Sequence, residues 1–275
     1  MFCARFMPTL AFATTAWLLV ALAGGCATTP TAPPPQQATP ATLPTSAPTS
    51  APVPVHPSFA LLARHALEAG APAPIEANDL VGRVGEERTL AVVAGRAAGE
   101  RRTQRVIALE DGTVVIEEST RAGVERSVLR LRDDGGYALR SVDTPGENSR
   151  SAFSQELEFA PPLLVGGGAS ESASPMRVTL LSSGKMRAAG SATRSQRVVG
   201  RADIDVCGER LVATIVETVF VADLDNATAR RESELFVVPG RGVVAERWRE
   251  KVTVLGIFPK TTEETVVVIP TKGTP

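Results

Sequence analysis

Catalysis needs an activated nucleophile, metal ligands or convergent carboxylates, and this sequence is sparing with all three. It has three cysteines (Cys3, Cys26 and Cys207) and only two histidines, His56 and His65. Cys207 sits in Asp205-Val206-Cys207-Gly208-Glu209-Arg210, which reads as a strand end and a turn, with no base nearby to activate a thiol. Acidic pairs occur at Glu117-Glu118, Asp133-Asp134 and Glu263-Glu264. Neighbouring residues in a strand point to opposite faces, so neither the first nor the last pair aims both carboxylates at one site. Asp133-Asp134 falls in a turn, where Asp bonds the local backbone. Gly166-Gly167-Gly168 lacks the lysine and the strand-to-helix context of a phosphate loop. No HExxH, CxxC, GxSxG, GxxxxGK[ST] or calcium-loop pattern is present. The expectation is a chain that is not an enzyme, with no catalytic residue, no metal site and no cofactor.

The chemistry that remains belongs to Cys26. Residues 1–25 carry one charge, Arg5, before an apolar stretch from Leu10 to Ala23, and Gly24, Gly25 and Cys26 follow. A short apolar run ending in small residues is the pattern of a secretory signal. Leu22-Ala23-Gly24-Gly25-Cys26 resembles the lipobox of bacterial lipoprotein signals, with Ala23 where Leu or Val is commoner. The resemblance implies cleavage before Cys26, acylation of its sulfur and new amino group (palmitate-type chains), and attachment to a membrane. Ala27 stands where Asp resembles an inner-membrane retention signal, so the implied address is the outer membrane, with a periplasmic or surface-exposed domain.

The stretch from Ala27 to Pro57 contains ten prolines, is otherwise mostly Ala, Thr and Ser, and carries no formal charge. Such a stretch cannot bury a core and favours extended, polyproline-like conformations. At about 3.1 Å per residue it reaches roughly 90 Å at full extension, which makes it a tether. The chain thus divides into a signal at 1–25, a lipidated cysteine and disordered linker at 26–57, and a folded domain at 58–275. Only Cys207 then remains, so the mature domain has no intramolecular disulfide. Lys and Arg number 29 against 30 Asp and Glu. That balance argues against nucleic acid as a partner, since phosphate contacts need excess cations.

Within the domain, Ser58–Ala69 reads as one short amphipathic helix, capped by Ser58 and ended by Gly70 and Pro72. Beyond it, runs rich in Val, Ile, Leu and Thr alternate with turn residues. Arg101–Leu109 and Thr113–Ser119 make a hairpin around Asp111-Gly112. Val124–Arg132 and Tyr137–Val142 make another, and Ala152–Phe159 follows. A polar loop runs to Pro175, and then come Met176–Leu181, Ser191–Val199, Arg201–Val206, Leu211–Ala222, Arg231–Val238, Val243–Leu255 and Thr262–Ile269. In Val243–Val254 one parity carries Val244, Trp248, Val252 and Val254, interrupted by Glu246 and Glu250. Arg101, Arg102, Arg105, Arg121, Arg126, Arg130 and Arg132 read as solvated strand faces. The expected fold is all-β and mainly antiparallel: a large curved sheet or open β-barrel with one short N-terminal helix.

Phe236-Val237-Val238-Pro239-Gly240-Arg241-Gly242-Val243-Val244, with the preceding Val198–Phe220 passage, resembles a recurring hairpin arrangement of bacterial envelope β-proteins. These include the TapB-type family, whose sheet is broadly similar to that of the lipoprotein carriers LolA and LolB. The resemblance spans roughly residues 76–270 and rests on turn motifs, so it implies a fold and transfers no catalytic residue. Three functions stay open at this point. One is a tethered structural or interaction module with an envelope protein partner. Another is a carrier that holds a lipid or other hydrophobic ligand against an apolar inner face. The third is a hydrolase with an unrecognised cleft.

Overall fold

Alternating apolar and polar residues, punctuated by Gly and Asp turns, become antiparallel strands throughout a computed structural model that describes residues 63–65, 70–121 and 123–269. The elements are β1 (Ala63–His65), β2 (Ile75–Glu76), α1 (Ala77–Val81), β3 (Glu87–Gly95), β4 (Arg101–Ala108), β5 (Thr113–Thr120), β6 (Gly123–Leu131), β7 (Tyr137–Thr144), β8 (Ser149–Ala160), β9 (Leu163–Leu164), β10 (Ala169–Leu180), β11 (Met186–Val206), β12 (Glu209–Leu224), β13 (Ala227–Val238), β14 (Gly242–Val254) and β15 (Phe258–Ile269). The segments read as signal and tether, Cys26 and most of Ser58–Ala69 lie outside the described residues.

β3 to β8 and β10 to β15 pair in one continuous ring. β3 bonds to β15 on one side, and β11 bonds to both β10 and β12, which closes the sheet into a twelve-stranded barrel. Closure removes the exposed edges that an open curved sheet would present. β1 adds to β11 outside the ring, with Ala63 opposite Asp205 and Arg64 opposite Ile204. Residues 63–65, inside the span read as helix, are therefore strand, and the short helix of the domain is α1.

The turns follow their sequence chemistry. Asp111 and Gly112 both have positive φ, as a two-residue turn of this hairpin type requires. Cys207 and Gly208 do the same between β11 and β12, with the Gly208 amide donating to Asp205 Oδ1. Ser191–Val199 and Arg201–Val206 are one strand rather than two, with a register shift between Val198 and Gly200. Ala169–Ser174, expected as loop, are the start of β10 and pair with Arg197–Ala192.

The α1 helix plugs one mouth of the barrel. Ala77, Leu80 and Val81 pack with Ile75 into the main apolar cluster. Asp79 Oδ1 accepts the Gly240 amide at 2.7 Å, and Arg83 donates to the Gly240 carbonyl at 2.9 Å. Tyr137 donates its hydroxyl to Asn78 Oδ1 at 2.9 Å. The Pro239-Gly240 turn is thus a clip for the plug as well as a hairpin tip. Arg241 ties the same turn to Glu209 of the neighbouring hairpin by two bonds of 2.6 Å.

Strand packing is tightest at Gly190, where an added Cβ would stand 2.0 Å from the Asp223 carbonyl oxygen. Gly190→Ala is expected to push β11 and β12 apart and cost about 2–3 kcal/mol. Thermal melts against a Ser191→Ala control check this, and an unchanged Tm would show that the seam is not so tight.

Candidate functional site

The lumen is where the structure departs most from an apolar inner face. Residues of one parity point inward, and part of that set is charged. Inward-facing Arg102 (β4), Glu118 (β5), Glu125 (β6), Arg194 (β11), Arg231 (β13), Glu246 and Glu250 (β14) and Glu264 (β15) are all buried. Apolar side chains of the main cluster fill the rest of the lumen, among them Val106, Leu129, Phe159, Phe220 and Leu235.

Two arginines organise the belt. Arg102 bridges Glu264 at 3.1 Å, Glu100 at 3.3 Å and Glu118 at 3.7 Å, with no solvent exposure of its side chain. Arg231 reaches Glu246 at 3.1 Å and stacks over Trp248 at 4.4 Å from the ring centroid. Arg194 lies over the Phe159 ring at 4.7 Å, and Gln196 donates to the Phe159 carbonyl. Burial pushes the Arg194 guanidinium down to about 10.

Sheet register sets the electrostatics. Gln104 stands opposite Glu118, and Glu118 stands opposite Glu125, so two carboxyl groups face one another on adjacent strands. Like charges so placed repel, and both oxygens of Glu118 and Oε1 of Glu125 are buried without a hydrogen bond. Burial raises the Glu118 carboxyl well above its ordinary range, against the opposing pull of Arg102. It pushes Glu125 up to about 8 despite Arg231, and Glu250 and Glu264 up to about 7 each. Glu147, towards the charges of Arg187 and Lys260, is also pushed up to about 7 by burial. Glu147, Glu250 and Glu264 therefore exchange protons around neutral pH, and Glu125 about a unit above it.

The acidic pairs behave as strand alternation dictates, with a consequence that alternation alone does not reveal. Glu117 points out and pairs with Arg126 at 2.6 Å, while Glu118 points in. Glu263 points out towards Arg249, while Glu264 points in. One member of each pair therefore meets at Arg102. Asp134 accepts the Gly136 amide in its turn, as expected. Arg105, Arg126, Arg130 and Arg132 form surface ion pairs, each worth at most about 1 kcal/mol. Arg102 is the exception in that basic set. Cys207 lies on the β11–β12 turn, where burial and Asp205 raise its thiol above the ordinary range and keep it protonated. Among the described residues no group of three or more His, Cys, Asp or Glu is arranged to hold a metal ion.

A second feature lies outside the barrel. The outer face of β11–β15 forms a groove of about 740 Å³. Its lining includes Arg197 with Glu217 at 2.6 Å, Arg247 with Glu234 at 3.5 Å and Arg249 with Glu263 at 3.1 Å.

No protein-family model matches the chain, and no curated protein matches it. Among solved structures, the hypothetical lipoprotein YmcC from Escherichia coli (K12) is similar over 67% of this chain and 88% of that one, at 8% identity and a TM-score of 0.35. The functional reading therefore rests on the residues of this chain.

Proposed function

We propose that the chain is a non-enzymatic envelope lipoprotein, tethered to the outer membrane through Cys26, whose barrel is an interaction module for another envelope protein. The observation that carries this reading is the charged belt of the closed lumen. A hydrophobic cargo would have to lie against Arg102, Arg231 and five buried glutamates, which costs several kcal/mol for each polar group stripped of partners. A protein partner is favoured because the recessed surface is outside and lined by both signs of charge. The lipobox resemblance and the Pro-rich tether support the membrane anchor.

Two measurements test the reading. Metabolic labelling with a radioactive fatty acid is expected to mark the wild-type protein and not Cys26→Ser, and equal labelling of the two, or none of either, would reject the lipid anchor. Native mass spectrometry of the same variant, purified from an envelope extract, is expected to give the bare polypeptide mass. A bound lipid mass would instead establish the carrier reading, with its ligand in the lumen.

A further inference from the structure

We infer that the tip of the β14–β15 hairpin, Leu255-Gly256-Ile257-Phe258, dips into a phospholipid surface, so that the barrel stands on a membrane by the mouth opposite α1. α1 is clipped to the Gly240 turn before the start of β14, whereas this tip follows its end. Connecting turns are ordinarily polar, and this one is not. Leu255 is 50% exposed, Phe258 63% and Ile257 68%. Three large apolar side chains held in water at one turn mark a contact site. From Val252 to Thr262 the one charged residue is Lys260. Lys260 follows Phe258 by two residues, about 7 Å, the depth at which an immersed apolar segment meets headgroups. Lys251, also exposed, supplies a second cation on the other strand. The neighbouring β12–β13 turn carries Asp225, which the two lysines outnumber.

The backbone suits immersion as well. β3 pairs with β15 only from Glu264 onward, so the hairpin runs on past that neighbour. Its turn is bonded within the protein: the Leu255 amide donates to the Asn226 carbonyl at 2.9 Å, and the Ile257 amide to the Val254 carbonyl at 3.2 Å. Val254 stands opposite Phe258. Pro259, in the stretch beyond β3, has no amide proton to leave unpaired. Bonded amides matter because lipid offers them no partner. A second point on the same rim repeats the chemistry. Met186, at the start of β11, is 59% exposed and lies between Lys185 and Arg187. β11 and β15 are four strand spacings apart, at most about 19 Å along the wall. A bilayer, apolar below and charged at its face, meets both points at once, whereas a protein would need two separate pockets backed by acids. The lipid contact stands apart from the Cys26 anchor, but the orientation rests on that reading. β1 joins the wall at Asp203–Asp205, near the α1 mouth, so the linker must run back past the wall. The 13 residues of β14 give that wall about 44 Å along the strand, within the reach of roughly 90 Å read for the linker.

A photo-crosslinking residue at position 257 tests the contact in the full chain, processed in its membrane, purified and reconstituted in vesicles of phosphatidylethanolamine with phosphatidylglycerol. Phospholipid adducts are expected at 257 and at 186. None is expected at 163, where Leu163 is as exposed but follows the strand that pairs with β2 beside α1. From a crosslinker at position 255, the double variant Ile257→Ser, Phe258→Ser is expected to cut the lipid adducts about tenfold. The same substitutions are expected to leave Tm within about 2 °C, because exposed side chains carry little of the fold. Absence of lipid adducts at 257, equal adducts at 257 and 163, or adducts at 257 to protein alone would each overturn the inference. A fall in Tm of more than about 5 °C would place the tip in the packing of the barrel and overturn it too. Fatty-acid labelling reads the anchor and these adducts read the tip, so either can fail alone.

Discussion

The domain is expected to be most stable in weak acid and to lose about 10 °C of Tm between pH 5.5 and pH 8.5. The sign follows from burial. Glu125 is pushed up to about 8, Glu250, Glu264 and Glu147 to about 7, and Glu118 is raised as well, each chiefly because burial strips water from the carboxylate. The unfolded chain releases the protons of Glu125, Glu147, Glu250 and Glu264 near pH 4.5, whereas the folded barrel keeps them until pH 7 to 8. Through that window the folded state binds more protons, so stability falls as pH rises. At about 1.4 kcal/mol per tenfold change in proton affinity, the set amounts to a loss on the order of 5 kcal/mol. The protons leave in steps that belong to the coupled set rather than to single residues. Differential scanning calorimetry from pH 5 to 9 measures the slope directly. Glu125→Gln, which keeps the shape of a neutral carboxyl, is expected to raise Tm at pH 8.5 and flatten the slope. A Tm that is level or climbs across this range would mean that the lumen carboxylates are ionised and solvated.

Most of the fold is legible in the sequence because strand alternation and turn residues are local signals. Asp111-Gly112 and Cys207-Gly208 mark tight turns, and their positive φ values follow. Closure is not local. It depends on β11 pairing with β12 along its length while β10 and β1 occupy its other edge, and residues far apart in sequence decide that register. Ala169–Ser174 is too polar and small to announce a strand, and only pairing with β11 makes it one. The charged belt is a different case, since its signal is in the sequence and points the wrong way. Glu246 and Glu250 share a parity with Trp248, and Glu118 shares one with Val114 and Ile116. They look like interruptions of an apolar stripe. In the barrel they are the stripe's inward members, placed where Arg102 and Arg231 meet them. A charge in phase with an apolar face is the sign by which such a belt can be found.

Removing the Arg102 guanidinium should be the most costly single change in the lumen, and its cost should depend on pH. At pH 8 Arg102→Met leaves Glu100, Glu118 and Glu264 around a neutral side chain of similar length, in a site closed to solvent, without the ion pairs of 3.1–3.7 Å. Breaking a buried pair from one side costs about 3–5 kcal/mol, and here one side serves three carboxylates. At pH 5 the same variant is expected to lose little. Glu264 is then mostly neutral in the fold and burial shifts Glu118 the same way, so the guanidinium has fewer counter-charges to lose and a methionine in its place carries less penalty. The Tm deficit against the wild type should therefore shrink by more than half between pH 8 and pH 5. Arg105→Met, on the same strand but paired with Glu87 at the surface, should show a deficit of at most a few degrees at both pH values. A deficit for Arg102→Met that is the same at pH 5 and pH 8 would mean that the arginine acts through packing alone, and the belt would then be a filler of the lumen rather than a titrating network.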